Sequence, residues 1–258
     1  MFFKNIEIVK PPISREKVIF QCDEIYFKNY AYFNLMSCNN VGHDIHIHLI
    51  NPSQEFLSKI DKLKLSIDLS ISTEHLKTDN VNFYKLKSYY FCSRYFIADL
   101  LFSKNLVDKL FITDADIVFN ESISFLNNIH LGVLYYPQHT NLWKQTGANF
   151  LCVSKERKDF VKKIIDIYLE RIANTDFEKI NNDMDKFERA NLYALDQVCM
   201  SLIMQNENIE DKHFLNLAGL EKFISKHDNA KIWSFTGNAN KKNNNLKTIL
   251  EEKFNSVF

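Results

Sequence analysis

The chain has 258 residues, enough to bury a full core, and its 46% hydrophobic, 25% charged and 14% aromatic content excludes a disordered or collagen-like protein. Lys plus Arg and Asp plus Glu each total 32, so no basic field exists to attract nucleic acid. Any phosphate must therefore be recognised locally, through a metal or a few placed cations.

Pro11-Pro12 sets a short leader, with a small strand expected at Ile6 to Val9, apart from the main body. The compact run Lys17 to Cys22 predicts a buried first strand, and Tyr26 to Cys38 a helix that Gly42 closes. Asp44 to Ile50 alternates and stops at the turn signal Asn51-Pro52, completing a βαβ unit. A helix over Ser53 to Leu63 and a strand over Leu65 to Ser72 follow. An aromatic-rich helix is expected over Ser88 to Ser103, then the strand that carries Asp114 and Asp116. Leu131 to Tyr136 and Ala148 to Val153 predict further strands. Arg157 to Ile172 has one apolar stripe of Phe160, Ile164, Ile167, Tyr168 and Ile172. Phe187 to Met204 and Leu246 to Val257 are the last expected helices. No repeat or long linker divides the chain, so residues 1–258 are expected to form a single α/β domain with a mostly parallel central sheet flanked by helices.

Five cysteines at 22, 38, 92, 152 and 199 lack Cys-x-x-Cys spacing and fit a reducing compartment. Met1 to Asn5 shows no charged leader ahead of an apolar core, and every apolar run is shorter than the roughly 18 residues of a membrane span. The expectation is a cytoplasmic protein with no transmembrane segment. The five glycines, at 42, 132, 147, 219 and 237, cannot build a dinucleotide or P-loop glycine pattern. His46 and His48 alternate on one strand without a carboxylate or cysteine at useful spacing, so they are expected to be edge or surface residues.

The chemistry concentrates in Lys109-Leu-Phe-Ile-Thr113-Asp114-Ala-Asp116-Ile-Val-Phe119, an apolar strand that ends in two carboxylates one residue apart. Such oxygen donors suit Mg²⁺ or Mn²⁺, which complete their shells with water and substrate phosphates. Open α/β sheets bind ligands at the carboxyl ends of their strands, where this pair is expected. Asp23 and Tyr26 follow the first strand, and Asp23 also suits a helix N-cap. Arg94 is expected to open the helix before the paired acids. Asn149, Asp196-Gln197, Gly237 and Lys241 complete the candidate set.

In this order the motifs resemble those of the GT-A glycosyltransferases, most closely the family-8-like group that transfers sugar from a UDP-sugar with retention of configuration. The resemblance covers roughly residues 17 to 241. Cys22-Asp-Glu-Ile-Tyr26 is similar to the family's first-strand motif, which implies that Asp23 and Tyr26 contact the uracil. Arg94 matches the basic residue ahead of the metal motif, and Thr113-Asp-Ala-Asp116 matches the metal-binding Asp-x-Asp. Asn149 and Asp196-Gln197 resemble residues at the reacting sugar. Trp233-Ser-Phe-Thr-Gly237 with Lys241 resembles the late His-x-x-Gly-x-x-Lys that closes over the diphosphate. Two departures stand out: Ser234 replaces the histidine that is a third metal ligand, and Lys241 lies one residue further from Gly237. The resemblance implies a UDP-sugar donor, Mn²⁺ or Mg²⁺, and an acceptor that is a glycan, a lipid-linked sugar or a protein. Two alternatives stay open. Asp114-Ala-Asp116-Ile-Val118 also fits the haloacid dehalogenase pattern, in which Asp114 would be a phosphorylated nucleophile. A non-catalytic nucleotide- or carbohydrate-binding protein on the same fold is the other.

Overall fold

The structure is a computed structural model that describes residues 6–77, 81–177, 192, 194–207, 210–225, 229–234 and 244–254. β1 (Glu7–Lys10) leads into β2 (Glu16–Asp23), whose residues Lys17 to Phe20 are buried on both faces. β3 (Ile45–Ile50), β4 (Leu69–Glu74) and β5 (Lys109–Thr113) are buried at every position, as parallel strands covered on both sides should be. β7 (Leu131–Tyr135), β8 (Thr146–Ser154) and β9 (Phe214–Asn216) finish an eight-stranded sheet in the order β1-β4-β3-β2-β5-β8-β7-β9. Only β1 and β8 run against the common direction of the other strands. A smaller sheet joins β10 (Ile224–Ser225), β11 (Ile232–Ser234) and β6 (Ile117–Phe119). The architecture is a mixed α/β sheet flanked by helices.

Helices cover both faces. On one side α2 (Tyr32–Val41) and α3 (Gln54–Asp61) pack Phe33, Leu35, Phe56 and Ile60 against Phe20, Ile47 and Phe111. On the other, α4 (Phe83–Ser103), α6 (Lys158–Asn174) and α7 (Leu195–Met204) pack Tyr95, Leu101, Phe160, Ile164 and Met200 against Ile19, Leu110 and Ile112. The short α5 (Leu142–Gln145) sits between β7 and β8. A C-terminal helix, Asn244–Phe254, buries Leu250 and Phe254.

Several expected boundaries move, each for a local reason. The helix expected from Tyr26 begins earlier, with one turn α1 (Glu24–Tyr26) capped by Asp23, and continues through a π-helical stretch, Phe27–Ala31, into α2. The strand expected from Leu65 starts at Leu69, where pairing with β3 begins: Ile45 N–H donates to Asp68 O, and Asp68 N–H donates to Asp44 Oδ1. The helix expected from Ser88 starts at Phe83, because the Asn82 side chain caps Tyr84 N–H at 2.9 Å. Of the helix expected over 187–204, Leu195–Met204 is described, and residues 187–191 lie outside the described set. His46 and His48 are not edge or surface residues. Both are fully buried, because β3 lies between β2 and β4 rather than at a margin.

Gly42 ends α2 with φ +77°, and a Cβ added there would meet nothing within 4 Å, so its role is purely torsional. Gly42→Ala is expected to cost roughly 1–2 kcal/mol in chemical denaturation, with Gly42→Asn recovering part of the loss, since Asn tolerates the left-handed region.

Candidate active site

β5 delivers Thr113 to the carboxyl edge of the sheet, and the chain then makes a turn of three residues before β6 begins in the other sheet. The two acids occupy that turn. Its backbone is held from two sides: Asp114 N–H donates to Asn149 O at 3.2 Å, and Asn34 Nδ2 donates to Asp114 O at 3.1 Å. Asn149 lies where β8 breaks register with β7, at an irregularity that displaces residues 148–150 from regular pairing with that strand. Gly147 permits the approach there, because a Cβ would meet Asn149 Oδ1 and Leu134 Cδ1 at 3.1 Å.

Arg94 does not open its helix. It lies in the interior of α4 and is 1% exposed. Its Nη1 donates to Asp114 Oδ1 at 2.5 Å and its Nη2 donates to Asp196 Oδ2 at 2.8 Å. The guanidinium fork is thus occupied by two carboxylates that stand 82 residues apart in the chain. Asp196 is in the first turn of α7, with its Oδ1 accepting Gln197 N–H at 2.8 Å, and is almost fully buried. Burial pushes its carboxyl up to about 6, against the pull of Arg94. Gln197 is half-buried, and its carbonyl accepts from Thr146 Oγ1 at 2.8 Å, which docks α7 to the start of β8.

Asp23 takes the helix-cap role: its Oδ1 accepts Tyr26 N–H at 2.7 Å. The Tyr26 hydroxyl bonds to Asp116, and burial together with the two neighbouring carboxylates holds the phenol far above its ordinary range, so it stays a donor. Asp116 is 3% exposed, whereas the Asp114 side chain keeps a quarter of its surface open. Ser234 pairs in register with Ile117, which puts it beside the acidic turn. Gly237 and Lys241 lie outside the described residues. The structure therefore brings together Tyr26, Arg94, Asp114, Asp116, Asn149 and Asp196, with Asp23 and Gln197 one hydrogen bond away. Asn34 is a residue that the sequence did not single out, although an Asn inside the apolar run Tyr32 to Leu35 was a signal.

Among the described residues no group of three or more His, Cys, Asp or Glu is arranged to hold a metal. Asp114 and Asp116 supply two carboxylates, which fits a hard cation that arrives with substrate phosphates better than one bound by protein alone. Charge points the same way, since Arg94 divides its one positive charge between Asp114 and Asp196, and Asp116 adds a further acid in the same turn.

The fold places the chain among mixed α/β proteins with a carboxyl-edge site. No protein-family model and no curated protein matches it. Two solved structures of the glycosyltransferase GlyE from Streptococcus pneumoniae TIGR4, one of them the apo form, share its fold with TM-scores of 0.56 and 0.57 at 15% identity. Both cover 95% of this chain, which spans only 60% of theirs.

Truncating Arg94 would leave two carboxylates unpaired. Arg94→Met is expected to lose about 3–5 kcal/mol in denaturant titration. Asp196 adds a pH signature. Between pH 3.8, its ordinary value, and about 6, the folded protein keeps a proton that the unfolded chain releases, so stability falls as pH rises through that window. In metal-free buffer, Asp196→Asn should flatten this segment of the stability curve.

Proposed function

We propose that the chain is a metal-dependent glycosyltransferase of the GT-A type, similar to family 8, that moves a hexose-type sugar from a UDP-sugar to an acceptor with retention of configuration. The observation that carries this reading is Arg94 drawing Asp114 and Asp196 to one point at the carboxyl edge of the sheet. The likeness of fold to a glycosyltransferase supports it. Asp23 and Tyr26 border the nucleoside side, Asp114 and Asp116 would hold Mn²⁺ or Mg²⁺, and Asp196 with Gln197 and Asn149 face the sugar. Gly237 and Lys241 belong to the segment that would close over the diphosphate. When bound, the cation neutralises charge on the departing diphosphate, which a chain of zero net charge cannot do through its surface.

Arg94 keeps Asp114 oriented for that cation while denying it a full neutralising partner, since the same guanidinium also serves Asp196. Asp196 is held by Arg94 on one oxygen and by Gln197 N–H on the other, an arrangement suited to positioning and polarising rather than to free attack. Tyr26, donating to Asp116, fixes the second acid. A cytoplasmic location and a role in glycan or cell-surface polysaccharide synthesis accord with this reading.

The test is UDP release from a panel of UDP-sugars with Mn²⁺. Turnover is expected to fall at least about 100-fold in Asp116→Asn and to vanish with a chelator. Hydrolysis of phosphate esters without nucleotide dependence, or UDP binding without turnover across the panel, would overturn the proposal.

A further inference from the structure

The face of β3 and β4 beneath α4 carries a line of polar side chains where an apolar layer would be expected. His46, His48, Ser70, Ser72 and Glu74 are all buried there. They form one continuous chain. His46 Nδ1 lies 2.9 Å from Ser70 Oγ, His46 Nε2 lies 2.9 Å from Ser72 Oγ, His48 Nδ1 lies 2.9 Å from the same Ser72 Oγ, and His48 Nε2 lies 3.1 Å from Glu74 Oε1. Tyr89 of α4 closes the far end, its hydroxyl donating to the Glu74 carboxylate, 2.6 Å from Oε1 and 2.5 Å from Oε2.

With Glu74 ionised and His46 neutral, proton bookkeeping leaves two self-consistent arrangements. Ser72 has one hydrogen and two ring nitrogens beside it, so it donates to one ring and accepts from the other. If Ser72 donates to His48, both rings are neutral Nε2–H tautomers and every proton points toward the Glu74 carboxylate. If Ser72 donates to His46, His48 is a cation, His46 is the Nδ1–H tautomer, and Ser70 turns its hydrogen to Ile45 O.

One distance and the surrounding charge favour the first. The Ser70 contacts, 2.9 Å to His46 Nδ1 and 3.2 Å to Ile45 O, fit both arrangements. The His48 to Glu74 distance of 3.1 Å exceeds the roughly 2.7–2.9 Å of a charge-assisted bond. Around the rings stand Lys17, whose ammonium is paired with Asp68, together with Glu74, Tyr89, and Tyr90 near Glu74 and Asp23. Lys17 already supplies one cation on this face, and burial opposes a second.

The chain ends on the helix that carries Arg94. Tyr89 precedes Arg94 by five residues on α4, about 7.5 Å of rise. We infer that Glu74 is a positioning residue: it polarises the chain Ser70–His46–Ser72–His48 in one direction and, through Tyr89, fixes the part of α4 from which Arg94 reaches Asp114 and Asp196. Only the significance of Arg94 rests on the transferase reading; the chain and its link to Arg94 are tested without any sugar nucleotide.

Glu74→Gln is the informative variant, because an amide can donate to His48 Nε2 while its oxygen still accepts from Tyr89. Every proton in the chain would then reverse with all partners kept, so the variant should fold. Long-range ¹H–¹⁵N correlation spectra should show both histidines as neutral Nε2–H tautomers in the wild type. Both should be Nδ1–H in Glu74→Gln, and only His48 should switch when Ser72→Ala is added. In Tyr89→Phe both rings should keep the wild-type tautomers while the Arg94 side-chain Nε–H resonance shifts. A cationic His48 or an Nδ1–H His46 in the wild type, or a switch confined to His48 in Glu74→Gln, would overturn the one-way chain. An Arg94 resonance unmoved in Tyr89→Phe would overturn the positioning role. Should Glu74→Gln fail to fold, the wild-type tautomers and the Tyr89→Phe spectrum still decide both points.

Discussion

A single buried guanidinium organises the carboxyl edge of this sheet. Arg94 enters from α4, Asp114 from the turn after β5, and Asp196 from the first turn of α7, so one side chain ties together three elements that are remote in sequence. Taking three charges out of water is costly, and the cost is met only when the hydrogen-bond geometry is nearly complete. Two of the guanidinium nitrogens meet carboxylates, while Nε has no partner among the described residues. Such a cluster makes poor sense as a source of stability alone. Well-packed apolar residues would serve that end equally well or better.

The neighbouring polar contacts extend the same logic. Tyr26 attends Asp116, Asn34 and Asn149 fix the backbone of Asp114, and Asp23 holds the turn that carries Tyr26. Each acid therefore has a supporting partner from a different element. The two acids differ in exposure: Asp116 is sealed, while Asp114 keeps a quarter of its side-chain surface open. Under the proposed reading, preorganisation of this kind would set charge in place before a substrate arrives, where electrostatic stabilisation is most effective.

Much of this was legible in the residues. Buried parallel strands announce themselves as short continuous apolar runs, so β2, β3 and β5 fall close to where Lys17 to Cys22, Asp44 to Ile50 and the run before Asp114 put them. The acidic pair was legible because it terminates such a run. What escaped was whatever depends on sheet order. The burial of His46 and His48 follows from β3 having a neighbour on each side, and their partners Ser70, Ser72 and Glu74 come from β4, some two dozen residues later. The double engagement of Arg94 was equally invisible, since it requires α4 and α7 to lie side by side. The start of α4 at Phe83 was missed because a cap, Asn82, sets it rather than apolar spacing.

The margins of the large sheet are built from its shortest members. β1 contributes four residues and β9 three, whereas the interior β8 runs for nine. Exposed strand borders are templates for pairing with another chain, and brevity is one of the ways proteins blunt them. β1 further runs antiparallel to β4 with a register shift between Ile8 and Lys10, which interrupts the regular row of donors and acceptors. An apolar, eight-stranded assembly thereby offers neighbouring molecules little backbone on which to grow.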